Sequence, residues 1–251
     1  MAKSVGKLVP KVPKVPTVSG VAAATRRASY SASTKRSLLD AATALFTEHG
    51  YAGTSLDQIV AAAAVTKGAL YHHYSGKQAL FEAVFERIET EAAQRIAKAL
   101  KKRRDPWDKA LGGVRAFLEV VREPSYRRVV IQDGPAVLGY ERFREQEGRS
   151  TFAHVVEIID AVLDAGDWSL DEQMRLTFGR IFFGAMSSAG ETVSSAEDPE
   201  LEARRVEAAV GFMFSGFQLL IGTSETLPDA LRIEAVPADP DDGTDGASDD
   251  T

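Results

Sequence analysis

The residues best suited to touching another molecule lie together between Thr66 and His73. This stretch holds a hydroxyl, a lysine, a glycine, a tyrosine and two histidines, and no carboxylate. Leu70 and Tyr74 are four apart, so a helix turns both of them inward. Lys67, Gly68, Tyr71 and His72 are then left on or near the outer side. An acid-free surface helix suits the approach to phosphates, because a carboxylate there would be repelled. Thr66 at the cap adds free backbone amides and the positive end of a dipole, and Gly68 allows close approach to a groove wall. Lysine can donate to guanine O6 and N7, and Ala69 offers its methyl to thymine. The same spacing also fits an ordinary helix hairpin inside a bundle.

The neighbouring segments read as the helices that position this surface. Leu38, Ala42, Leu45, Phe46 and His49 recur at three- and four-residue intervals, and Gly50 closes that first helix. Thr54 to Asp57 reads as a capping box, with Thr54 accepting an amide proton and Asp57 reaching back. It opens a short second helix whose inner side carries Leu56, Ile59, Val60 and Ala63. Ala64 and Val65 make a tight break before Thr66. A second capping box, Ser75 to Gln78, starts a long helix from Lys77 through Leu80, Phe81, Val84, Ile88, Ile96 and Leu100. Asp105 and Pro106 break the chain. Further helices are expected near 107–121, 125–133, 140–163, 170–193 and 198–221, with Gly166 ending the third. Strand patterns are nearly absent. The expected fold class is all-α.

Charge is unevenly spread along the 251 residues, whose formal net charge is -6. Residues 1–36 carry Lys3, Lys7, Lys11, Lys14, Arg26, Arg27, Lys35 and Arg36 with no acid. Residues 223–251 set a run of Asp and Glu against Arg232 alone. A basic end and an acidic end together fit a nucleic-acid binder; each also fits a solvated, disordered terminus. Between Thr34 and Phe85 the charges cancel, Lys35, Arg36, Lys67 and Lys77 against Asp40, Glu48, Asp57 and Glu82. The compact segment therefore needs help from outside itself, and Arg26 and Arg27 are expected to supply phosphate or minor-groove contacts. Residues 1–32, with Pro10, Pro13 and Pro16, are read as a flexible basic arm, and 223–251 as a disordered acidic tail.

Several function classes lack support. Cysteine is absent, which removes disulfides, thiolate zinc sites and cysteine nucleophiles and favours a reducing, cytoplasmic setting. No apolar run reaches the ~18 residues of a membrane span. No nucleophile elbow, phosphate loop or dinucleotide fingerprint occurs, so an enzyme is not expected, and neither is a cofactor. His154 has Glu157 and Asp160 on one helix, short of the three or four ligands a metal needs. Asp241, Asp245 and Gly246 lack the closing Glu of a calcium loop. No metal is expected. Phe178, Ile181, Phe182, Phe183 and Met186, then Val210, Phe212, Met213, Phe214, Phe217, Leu219 and Leu220, cover more than one face of the last two helices. Helices apolar on nearly every side are buried twice, once in their own domain and once against a partner, which predicts a homodimer through a four-helix bundle.

The stretch from Thr34 to Val84 resembles the DNA-binding domain of the tetracycline-repressor (TetR) family. The resemblance rests on Ala41 to Tyr51 (AATALFTEHGY), Thr54 to Ile59 (TSLDQI), Val65 to Tyr74 (VTKGALYHHY) and Ser75 to Lys77 (SGK). It implies a helix-turn-helix DNA-binding domain over 33–85 and a larger helical effector-binding and dimerisation domain over 86–222. By the same resemblance, Lys67, Ala69 and His72 face base edges or sugars. Thr54, Thr66, Tyr71, His73 and Lys77 hold phosphate, with Gly68 beside them. His73 can instead pack partly against the fourth helix. Phe117, Gln132, Phe152 and Phe178 are the expected liners of a small-molecule pocket. The function implied is a dimeric repressor, released from a palindromic operator by an unidentified effector. The alternative is an effector-independent DNA-binding protein. One departure stands out: the turn residue that is usually Gly is Ala64 here, where a left-handed conformation costs roughly 1 kcal/mol.

Overall fold

The fold, taken from a computed structural model, is described for residues 18–101, 103–147, 152–165 and 171–222. Those residues form helices without a strand among them. In chain order these are α1 (Val18–Gly53), α2 (Leu56–Ala62), α3 (Lys67–His73), α4 (Lys77–Lys101) and α5 (Pro106–Val121). A π-helix (Tyr126–Asp133) follows, then α6 (Gly134–Leu138), α7 (Tyr140–Glu147), α8 (Ala153–Leu163), α9 (Glu172–Ser195) and α10 (Pro199–Gly222). No helix among the described residues is long and apolar enough to cross a membrane. The acidic tail and Gly166 lie outside the described residues.

Residues 18–32 correct the reading of a flexible arm. They are the opening turns of α1, which starts two residues after Pro16 and breaks at Gly50 (φ 71°, ψ 175°), a last short turn carrying it to Gly53. Alanines 22–24, 28 and 32 supply helix propensity without an apolar stripe. The expected helix over 140–163 is seen as α7 and α8.

Leu38, Ala42 and Phe46 of α1, Ile59 of α2, Leu70 of α3, and Leu80, Phe81, Val84 and Phe85 of α4 form the core beneath α3. Phe46 and Tyr51 both meet the Phe81 ring, at centroid distances of 5.3 and 5.2 Å. Leu70 and Tyr74 are buried, as the four-residue spacing predicts. Further along, Asp105 caps α5 by accepting the Asp108 amide at 2.9 Å, and Pro106 occupies the first turn, where its missing N–H costs nothing. The long helix α4 packs on both α1 and α5, and so belongs to both halves of the molecule.

Two halves also meet through the π-helix. Asp133, at its end, accepts the Tyr51 N–H at 2.7 Å. Arg128, one turn earlier, lies 3.4 Å from the same carboxylate and covers Gly50. Gly50 has φ 71°, and a Cβ there would stand 1.9 Å from the Arg128 guanidinium. The left-handed backbone is what calls for glycine, since the Arg128 guanidinium ends a flexible side chain that can shift.

Candidate nucleic-acid interface and effector cavity

The turn between α2 and α3 is a Schellman motif. Val65 N–H donates to Val60 O at 3.0 Å, and Ala64 N–H to Ala61 O at 3.1 Å. Ala64 has φ 53° and is the one described residue other than glycine in the left-handed region. The chain therefore keeps the geometry that glycine normally serves and carries the strain. Thr66 caps α3, its hydroxyl accepting the Ala69 amide proton at 3.2 Å. Lys67, Gly68, Tyr71 and His72 are exposed, with Ala69 and His73 half-buried. A Cβ on Gly68 would meet nothing closer than the Thr66 hydroxyl at 3.8 Å, so the fold itself does not need glycine there.

The capping of α2 sits one residue later than the sequence suggests. Ser55 is the cap, accepting from Gln58 N–H at 3.2 Å, and the Gln58 side chain accepts from Ser55 N–H at 2.7 Å. Thr54 is buried instead, its hydroxyl donating to Gly50 O at 2.8 Å and Leu45 O at 3.1 Å. Its side chain is thus removed from the expected phosphate contacts. Asp57, freed from capping, reaches across to Lys67 at 2.6 Å. Helix α3 is acid-free, but its exposed face is not, because α2 supplies this carboxylate. The Asp57 hydrogen bond, then its charge, raises the Lys67 pKa and keeps the ammonium charged. Both side chains are well exposed, so a nucleic-acid acceptor can replace the aspartate.

Lys77 does structural work at its position. Its ammonium donates to Thr54 O at 2.7 Å and sits 4.2 Å above the Tyr51 ring. It ties α4 to the loop before α2. His73 stacks edge-on with His72 at 5.1 Å. Burial, with smaller contributions from His72 and Lys35, lowers its pKa, so it holds a neutral ring at neutral pH.

In the larger half, an apolar cavity lies between α4, α5, the π-helix, α8 and α9. Counting the open solvent at its mouth, the space between these walls is about 560 Å³. Its aromatic walls are Phe117, Tyr126, Phe182 and Phe183, and its polar groups belong to Tyr126, His154 and Ser187. Of the four expected liners, Phe117 is present. Gln132 is exposed on the π-helix beside Arg128. Phe152 stands behind the wall, edge-on to Phe183 at 5.5 Å, and Phe178 is half-buried away from the lining. Sequence reasoning missed His154 and Tyr126 as wall residues. His154 was visible as the lone histidine of this half, with nothing to say which way it faced. Its Nδ1 lies 3.8 Å from Glu157, and no group of three metal-ligating side chains occurs among the described residues.

On α9 and α10 the apolar side chains divide into two sets. Phe183, Met186, Val210 and Phe214 are buried, whereas Ile181, Phe212, Met213 and Leu219 are exposed. Phe212 is 82% exposed.

Comparison with known proteins decides the family. The family model described as "Bacterial regulatory proteins, tetR family" matches residues 38–84, and "Tetracyclin repressor-like, C-terminal domain" matches 107–217. The chain belongs to the TetR family. A TetR-family transcriptional regulator from Pectobacterium atrosepticum shares the fold with a TM-score of 0.65 and 29% identity, over 75% of this chain and 96% of that one. The Transposon Tn10 TetC protein of Escherichia coli is 46% identical over 54 residues, 22% of this chain and 27% of the relative. The transcriptional regulator LmrA of Bacillus subtilis is 40% identical over 87 residues, 34% of this chain and 44% of the relative. The chain thus spans less than half the length of these curated relatives.

Proposed function

We propose that this TetR-family chain is a cytoplasmic, dimeric DNA-binding transcriptional regulator, most simply a repressor, that leaves its operator when a small molecule fills the cavity. The observation that carries the DNA-binding reading is the exposed face of α3. Lys67 and Tyr71 project from it, with side chains 61% and residue surface 57% exposed, on a helix packed down by Leu70 and Tyr74. Lys67, Ala69 and His72 read base edges. Thr66, Tyr71 and His73 hold phosphate, and Lys77 contributes from the start of α4. Gly68 lets the helix approach the groove.

The dimer is supported by the exposed set on α9 and α10, which a second copy would cover. Phe212 and Leu219, seven residues apart, share one face of α10, and Met213 is exposed beside them. Two-fold symmetry then asks for a palindromic operator with half-sites one turn apart, about 34–36 Å. Effector release is supported by the position of the π-helix. Its first residue, Tyr126, is in the cavity wall, and its last, Asp133, holds the Tyr51 amide behind the helix-turn-helix. A ligand that shifts the π-helix acts on α1 and α4 together, and the coupling is reciprocal. The basic turns of α1 around Arg26 and Arg27 are proposed to add flanking phosphate contacts.

The test is selection of bound duplexes from a random-sequence pool. Wild type should enrich an inverted repeat, and Lys67→Ala with Tyr71→Ala should weaken retention of that duplex at least about tenfold. Equal retention by the double variant would overturn the assignment to α3.

A further inference from the structure

A second space lies beside the effector cavity. His154 and Ile158 of α8 line the apolar cavity on one side and an outer space of about 550 Å³ on the other. That outer space is bounded by Ala97, Leu100 and Lys101 at the end of α4, Lys109 in the first turns of α5, and Glu157 and Ala161 of α8. The α8 residues 154, 157, 158 and 161 follow helical spacing, so one stripe of this helix stands between the two chambers, with His154 and Ile158 facing both.

The chambers differ in chemistry. The inner one has no charged side chain in its lining, only aromatic and aliphatic groups with the hydroxyls of Tyr126 and Ser187 and the His154 ring. The outer one has two lysines, Lys101 exposed and Lys109 half-buried, against a single carboxylate, Glu157, whose side chain is 73% exposed and lies 3.8 Å from His154. A molecule in the inner chamber that extends past His154 and Ile158 enters the space lined by Lys101 and Lys109. A cation placed there is repelled, and an uncharged end leaves the lysines unused.

We propose that the effector is a small amphipathic monoanion, with a compact apolar body in the inner chamber and a carboxylate or similar anionic group held between His154, Lys101 and Lys109. This rests on the reading of the inner chamber as the effector site, and deepens it by naming the chemistry of the ligand. Lys101 and Lys109 determine specificity for the anion, while Phe117, Phe182 and Phe183 shape the space for the body.

The test is isothermal titration of the full chain with 4-phenylbutyrate and with its uncharged amide. Wild type binds the acid at least about tenfold more tightly than the amide, the scale expected from two partly screened lysines. Lys101→Met with Lys109→Met removes that preference and leaves amide binding unchanged. Ser187→Phe, which fills the inner chamber from its half-buried wall, removes binding of both probes, and Ala110→Met provides a second filling variant. Equal affinity for acid and amide, an acid preference that survives loss of both lysines, or no binding of either probe overturns the anionic class. Undiminished binding by both filling variants, with melting curves like wild type, overturns the cavity reading itself.

Discussion

Replacing Asp133 with alanine probes the bridge between the cavity and the DNA-binding half. The carboxylate is 20% exposed, accepts the Tyr51 amide proton at 2.7 Å and lies 3.4 Å from Arg128 Nε. Its loss leaves a half-buried N–H without that acceptor and takes the counter-charge from a guanidinium packed over Gly50. A hydrogen bond to a charged group contributes about 1.5–3 kcal/mol. At about 2–4 °C per kcal/mol for a chain of this size, melting falls by about 3–12 °C. Asp133→Asn keeps an acceptor oxygen and should recover roughly half of the loss. Arg128→Ala removes only a partly exposed ion pair and should cost less than about 1 kcal/mol. Circular dichroism melts give the stability order, and hydrogen exchange at the Tyr51 amide reports the bond directly. A melting point for Asp133→Ala within about 1 °C of wild type, with Tyr51 exchange unchanged, would refute the bridge.

Other consequences can be checked in the same preparations. Phe212→Asp removes one exposed phenyl from each protomer's proposed dimer face, about 3–6 kcal/mol in all, and should weaken self-association about 10²–10⁴-fold in sedimentation equilibrium; an unchanged constant would place the interface elsewhere. Ala64→Gly relieves the left-handed strain at φ 53° and should stabilise by about 1 kcal/mol in denaturant melts, whereas destabilisation would contradict the strain argument. His73 is held below its ordinary pKa of 6.5, so its neutral ring favours the fold. That contribution is complete above about pH 6.5 and is lost as pH falls through the lowered value. His73→Gln should therefore flatten the acid side of the stability profile, and parallel profiles for variant and wild type would contradict it.

Local signals carried much of the fold. Asp105 before Pro106, the inward pair Leu70 and Tyr74, and the tight turn at Ala64 could each be read from neighbours in sequence, because caps and turns are short-range. The one-residue slip at α2 shows where this stops. Thr54 and Ser55 each have a suitable partner three residues on, Asp57 and Gln58, and only the burial of Thr54 against Gly50 and Leu45 selects between them. The Asp57–Lys67 pair depends on how α2 crosses α3, which no spacing records. Gln132 was expected in the cavity for its polar side chain alone, and no spacing recorded that it faces outward beside Arg128 on the π-helix. The opening of α1 was missed because alanine favours helix without marking a face.

Hydroxyl-radical footprinting of the full chain on the selected duplex tests the central claim most directly. The account predicts two protected patches on one face of the DNA, centred about one helical turn apart, 34–36 Å, and both lost when Lys67 and Tyr71 are replaced by alanine. A single patch, or two that persist in that variant, would contradict it.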